Sequence, residues 1–145
     1  MSKSARHKLM QALLRGSTHY GTDVRLNHVE DELSELGSVD RAKPVRRQRL
    51  LKVIHAARAI DTTLGVILDS NGLVPQHGIG NRLAQLKSLP PATRGYMDHP
   101  TMVSYRSSVA SVRNKYAHTA GAFPTATHEV DSFVSEVHAC MALIL

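Results

Sequence analysis

Arg113, Asn114 and His118 lie close together in the run Ser-Val-Arg-Asn-Lys-Tyr-Ala-His, Ser111 to His118, and their types suit the cleavage of RNA without a metal. An RNA 2′-hydroxyl attacks its own neighbouring phosphorus when one group removes its proton, another protonates the leaving 5′-oxygen, and cations stabilise the phosphorane. Histidine fits both proton transfers. Arginine fits the third role, because its planar fork donates two parallel hydrogen bonds to phosphate oxygens and stays charged at every working pH. Asn114 would orient His118 or hold a phosphate oxygen. The spacing alone is not selective, since Arg94 and His99 share it. That second pair sits among Pro90, Pro91, Gly95 and Pro100, in a stretch that reads as loop, whereas Arg113 to His118 rides on helical periodicity.

The elements that must position these residues all read as helices. Leu9, Met10, Leu13 and Leu14 before Gly16 predict a short first helix, and Leu26, Val29, Leu33 and Leu36 predict a second that stops at Gly37. The third is the longest: it starts at Pro44, carries Leu50, Leu51, Ile54, Ala57, Ile60, Leu64, Ile67 and Leu68 on one face, and ends at Asn71-Gly72. Leu83, Leu86 and Leu89 mark a fourth, and Leu89 to Pro100 is a loop. A fifth begins near Asp98 to Thr101 with the core stripe Met102, Tyr105, Val109, Val112 and Tyr116, and ends at Gly121 and Pro124. A sixth runs from Thr127 with Val130, Phe133, Val134, Val137, Met141 and Ile144 inward. Alternating strand-like runs are absent, so the expected fold is an all-α, single-domain bundle of five or six helices over residues 1–145, with N-terminal helices in 1–37 and the motif-bearing bundle in 40–145.

On the fifth helix, Arg106, Ala110, Arg113 and Ala117 form a stripe beside the core stripe, with small residues that let another helix approach between large cations. At about 100° per residue, Arg113 and His118 lie about 140° apart, so one helix presents them in divergent directions. A compact site is then easier to build between two antiparallel copies, which predicts a symmetric homodimer with the paired motifs in one groove. His118 falls in the last turn, where the helix dipole favours imidazolium.

The chain has 145 residues and a formal net charge of +6, a bias toward polyanions such as RNA. Arg41, Lys43, Arg46, Arg47, Arg49 and Lys52 form a basic run, read either as a solvated face, paired with the acidic Glu30, Asp31, Glu32 and Glu35, or as a phosphate-contacting face bordering the motif cleft. The candidate RNA contacts are Arg106, Lys115, Tyr116, Arg46, Arg47 and Arg49, with the Tyr116 ring in the core and its hydroxyl at the cleft rim. One cysteine, Cys140, builds no disulfide within the chain and suits a reducing cytoplasm. The segment Met1 to Lys8 lacks a long apolar core after its basic residues, and no stretch approaches a membrane span. The histidines lack the companions and spacing of a zinc site, so no metal and no cofactor is expected. Gly78-Ile79-Gly80 lacks the strand and the Gly-Lys-Ser/Thr of a phosphate loop and reads as the start of the fourth helix.

Arg113-Asn114-Lys115-Tyr116-Ala117-His118 resembles the signature of HEPN domains, small all-α bundles with an arginine, four residues and a histidine near the end of a late helix. The resemblance implies dimerisation through the motif helices and a metal-independent endoribonuclease of toxin or phage-defence type, with Arg113 and His118 as catalytic pair and Asn114 as support. It also implies an antitoxin, a regulatory protein or an adjacent domain as partner. One subgroup, paired with nucleotidyltransferase antitoxins, carries a modified tyrosine two residues after the histidine; here that residue is Ala120, which argues against that pairing. Two other readings stand beside the enzyme: a non-catalytic RNA-binding or protein-interaction module of the same fold, and a DNA-binding regulator using the basic third helix. The last lacks the short turn and polar recognition helix of a DNA reader.

Overall fold

The computed structural model describes residues 6–145, so part of the N-terminal segment read for a leader lies outside the described residues. The helices are α1 (Arg6–Arg15), α2 (Arg25–Ser38), α3 (Val45–Ser70), α4 (Ile79–Leu86), α5 (His99–Tyr105), α6 (Ser111–His118) and α7 (Thr127–Ile144), and no strand occurs among the described residues. α5 and α6 are halves of one rod, joined by a π-helical segment, Arg106–Ala110, with helical backbone at both junctions. Six rods therefore make an all-α bundle, and none is long and apolar enough to cross a membrane among the described residues.

α3 is the axis of the bundle. Pro44 precedes it in an extended conformation, and Asn71 and Gly72 end it, Gly72 with φ of 77°. Its N-terminal half is partly exposed, whereas from Val53 onward it buries Ala56, Ala57, Ala59, Ile60 and every residue from Thr63 to Leu68. Each large aliphatic side chain so buried contributes about 1.5–3 kcal/mol relative to exposure. Thr63, the buried polar residue of this stretch, donates its hydroxyl to the Ala59 carbonyl at 2.8 Å, which satisfies that donor. α2, α4, α6 and α7 all pack on α3, and α1 closes the other side of α2 and α7. Val130, Phe133, Val134, Val137, Met141 and Ile144 of α7 are all buried, as their periodicity predicts.

Two boundaries differ from the sequence reading. α2 does not stop at Gly37 but continues through it to Ser38 and a short 3-10 turn, Val39–Arg41. Gly37 is there for close packing: a Cβ on it would fall 2.6 Å from Nε2 of His7 on α1. The second is the π-helical segment, where the Ser111 amide and hydroxyl both donate to the carbonyl of Arg106, the latter at 3.0 Å. A widened turn of this kind is frequent at functional sites.

Candidate functional site

Asp98 caps the α5 rod by accepting a hydrogen bond from the Thr101 amide at 2.9 Å, and Pro100 occupies the first turn. Met102 and Val109 anchor the rod in the core, and Tyr116 anchors its end, with its hydroxyl donating to Glu129 of α7. The chain leaves the helix at Thr119, directly after His118. The motif is thus the terminal turn of a helix pinned at both ends.

Within one chain Arg113 and His118 meet. Nη1 of Arg113 lies 2.9 Å from Nε2 of His118 and 3.2 Å from Oδ1 of Asn114. The expected divergence of the pair is therefore corrected: projection along a helix gives the direction of Cβ, while the arginine side chain is long enough to turn back over the last turn. Guanidinium only donates, so His118 Nε2 is the acceptor and the ring proton sits on Nδ1. Nη1 carries two hydrogens and serves both neighbours, while Nε and Nη2 take part in neither bond. That free edge is the one arginine uses for a paired contact with phosphate.

The pair opens into a cleft of about 360 Å³ lined by Arg106, Arg113, Asn114 and His118 on one wall and by His77 to Asn81 on the other, with Asp61 of α3 at its base. The second wall is the first turn of α4 and the two residues before it, His77 and Gly78. α4 comes this close because Gly80 faces Ala110: a Cβ on Gly80 would sit 3.6 Å from the Ala110 Cβ and 3.6 Å from Nε of Arg106. The small residue on the motif rod does admit a neighbouring helix, and at Ala110 that neighbour is α4 of the same chain. Ala117 stays exposed. Asp61, the acid in the lining, is ion-paired to Arg82 at 3.3 Å, so the cleft is dominated by its cations. Unsatisfied N–H groups and the positive dipole end of α4 add to the same sign.

A second trough of about 440 Å³ lies across Arg113, between α3 and α6, lined by Leu50, Val53, Ile54, Ala57, Arg58, Asp61, Tyr116 and Ala117. Arg113 and Asp61 belong to both hollows. Arg58 at its edge pairs with Glu32 at 2.6 Å, and the same carboxylate accepts from His55 at 2.7 Å.

The remaining expected RNA contacts fall elsewhere. Lys115 projects from the other side of α6, 5.1 Å from the Tyr116 ring centroid and 4.0 Å from Glu129. The Tyr116 hydroxyl is committed to Glu129, and its ring lines the α3–α6 trough rather than the cationic cleft. The basic run does not border the cleft, contrary to expectation. Arg46 stacks over Phe123 at 4.9 Å, Arg49 donates to the Thr125 carbonyl at 3.0 Å and to the Thr127 hydroxyl at 3.3 Å, and Lys52 pairs with Asp40 at 2.5 Å. Arg46 and Arg49 clamp the loop between α6 and α7 onto α3, Lys52 ties α3 to the turn after α2, and Arg47 is exposed on the same turn as Arg46. The acidic cluster pairs away from the basic run, Glu30 with Arg15 and Tyr20, and Glu32 with His55 and Arg58.

His77 and the α4 turn line the cleft, and the sequence reading did not place them there. Nothing local signals them, because their place opposite the motif depends on how α4 packs on the π-helical segment. Among the described residues no group of three or more His, Cys, Asp or Glu stands close enough to hold a metal ion. Burial pushes the Cys140 thiol up to about 12, far from a reactive thiolate. Compared with known proteins, the chain matches no family model, and no curated protein or solved structure is significantly similar to it.

Proposed function

We propose that the protein is a metal-independent endoribonuclease, of the toxin or phage-defence type, that cleaves RNA by 2′-hydroxyl attack. The observation that carries this reading is the contact of Arg113 with His118 at 2.9 Å, with Asn114 on the same guanidinium nitrogen, at the mouth of a cationic cleft. An acceptor imidazole nitrogen beside a guanidinium with a free edge is what a proton transfer next to a phosphate requires. Arg106 on the same wall supplies a second cation for the phosphodiester. The homodimer implied by the HEPN resemblance belongs to the proposal, formed through the exposed side of the motif rod at Ser107, Ser111 and Asn114. So do a neutralising partner protein and a cytoplasmic setting.

The test is cleavage of total and defined RNA in excess chelator, with mapping of the ends. The wild type should leave a 2′,3′-cyclic phosphate and a 5′-hydroxyl, and Arg113→Ala and His118→Ala should each lower the rate by about 100-fold or more. RNA decay at the wild-type rate in His118→Ala would favour the second reading, a non-catalytic RNA-binding module of the same fold. The cationic cleft serves that reading equally well, so activity decides between them.

A further inference from the structure

We infer that His77 is the second proton-transfer group of this site, the general acid for the leaving 5′-oxygen, so that the cleft of one protomer carries a complete acid–base pair. This rests on the ribonuclease reading of the preceding section. Cleavage of a phosphodiester by its own 2′-hydroxyl needs two proton transfers, and His118 can make only one of them in each turnover. His77 lines the same cleft on the opposite wall, and among the described residues no histidine besides His77 and His118 lines it.

The backbone around His77 is held as a catalytic group's should be, although the segment is a surface connection. The Gln76 amide donates to Oε1 of Gln85 at 2.8 Å, and Nε of Arg82 donates to the Gln76 carbonyl at 2.8 Å. Nδ2 of Asn81 donates to the His77 carbonyl at 2.9 Å, and the Arg82 amide donates to the Gly78 carbonyl at 3.1 Å. Arg82 also reaches the Asp61 carbonyl at 2.7 Å, which ties this corner to α3. Three successive carbonyls are thus fixed, yet the His77 side chain is left exposed to the cleft. Structural demands on this turn are met by Gly78 and by the α4 side chains; none of them uses the imidazole.

The division of labour follows from Arg113. Because the guanidinium donates to Nε2 of His118, that nitrogen carries the ring's lone pair; once a phosphate oxygen takes over the Arg113 N–H, the released lone pair makes His118 the base. His118 takes the 2′-hydroxyl proton as the bond from O2′ to phosphorus forms. The bond from phosphorus to O5′ breaks, and His77 in its imidazolium form gives its proton to that oxygen. The products are a 2′,3′-cyclic phosphate and a 5′-hydroxyl, with both rings restored by exchange with water. No oxidant, reductant or metal enters the balance.

The experiment uses the full chain and a short RNA with a mapped cut site, prepared with the ordinary linkage and with sulfur in place of the bridging 5′-oxygen, whose thiolate leaves without protonation. His77→Ala should slow the ordinary RNA by about 100-fold and the sulfur-bridged RNA by less than about threefold. His118→Ala should slow both. His77→Gln should match His77→Ala while melting at the wild-type temperature, which separates loss of the acid from loss of the fold. Wild-type cleavage of the ordinary RNA by His77→Ala, or equal slowing of both substrates, would overturn the assignment and leave the ribonuclease reading standing. A wild-type protein inert toward both RNAs would instead remove that reading, and this inference with it.

Discussion

A histidine's role follows from what its two ring nitrogens touch, and this chain holds contrasting cases. Nδ1 of His138 lies 3.0 Å from Nη1 of Arg6, in a half-buried position between α7 and α1. Burial, and then the charge of Arg6, holds its pKa below the ordinary value of 6.5. The unfolded chain therefore takes up the proton more readily than the folded one. Stability from this group is fully present above pH 6.5 and is lost as pH falls through the lowered folded value. Urea melts should show a decline below that point which His138→Gln flattens. Asp23 and Glu30, held low by hydrogen bonds from Arg25 and Tyr20 respectively, act in the same direction but only in the carboxylate range, so the two windows separate. His118 is the other case, with its acceptor nitrogen turned to Arg113. Its identity as a candidate was legible in the sequence, and so was the dismissal of Arg94 and His99: Arg94 lies in a loop and His99 beside Lys87 at 3.3 Å, away from each other's chemistry. The reach of Arg113 was not legible, because a helical projection carries no side-chain length.

At the scale of elements, Gly78 joins packing to the site. Its φ of 92° turns the chain into α4 and sets the residue before it against the motif rod. An added Cβ there would meet nothing within 4 Å, so the cost of Gly78→Ala is backbone strain alone, roughly 1–3 kcal/mol. Chemical denaturation should show that loss, and RNA cleavage should fall by more than the small change in folded fraction accounts for, since relief of the strain displaces His77. Unchanged cleavage in a measurably destabilised Gly78→Ala would detach this turn from the site. The long α3 and α7 were readable because apolar repeats, Pro44 and Asn71-Gly72 all agree locally. The continuation of α2 through Gly37 was hidden, since the fit to His7 is a contact between helices rather than a pattern within one. The π-helical segment was hidden likewise. The segment packs against both α4 and α7, and the Arg106–Ala110 sequence by itself reads as ordinary helix.

On the scale of the whole molecule, the net positive charge divides into cations that brace the fold and cations that face the cleft. Arg46, Arg49 and Lys52 are engaged with Phe123, Thr125 and Asp40, which is why composition overstated the basic run as a nucleic-acid face. Arg106 and Arg113 remain in the cleft. A dimer built on the motif rods could share one groove or carry two separate ones, and the contact of Arg113 with His118 inside one chain favours two. Co-expression of Arg113→Ala with His118→Ala decides this. If each site drew its arginine and its histidine from different subunits, every mixed dimer would hold one intact site, and random assortment would return about a quarter of wild-type activity. Sites complete within one subunit give no such return, because each chain of the mixed dimer lacks one member of its own pair. The expected result is activity no higher than that of the better single variant, with the mixed dimer verified by differently tagged chains. A return near a quarter would place the two groups in different subunits and make the intramolecular contact a resting arrangement.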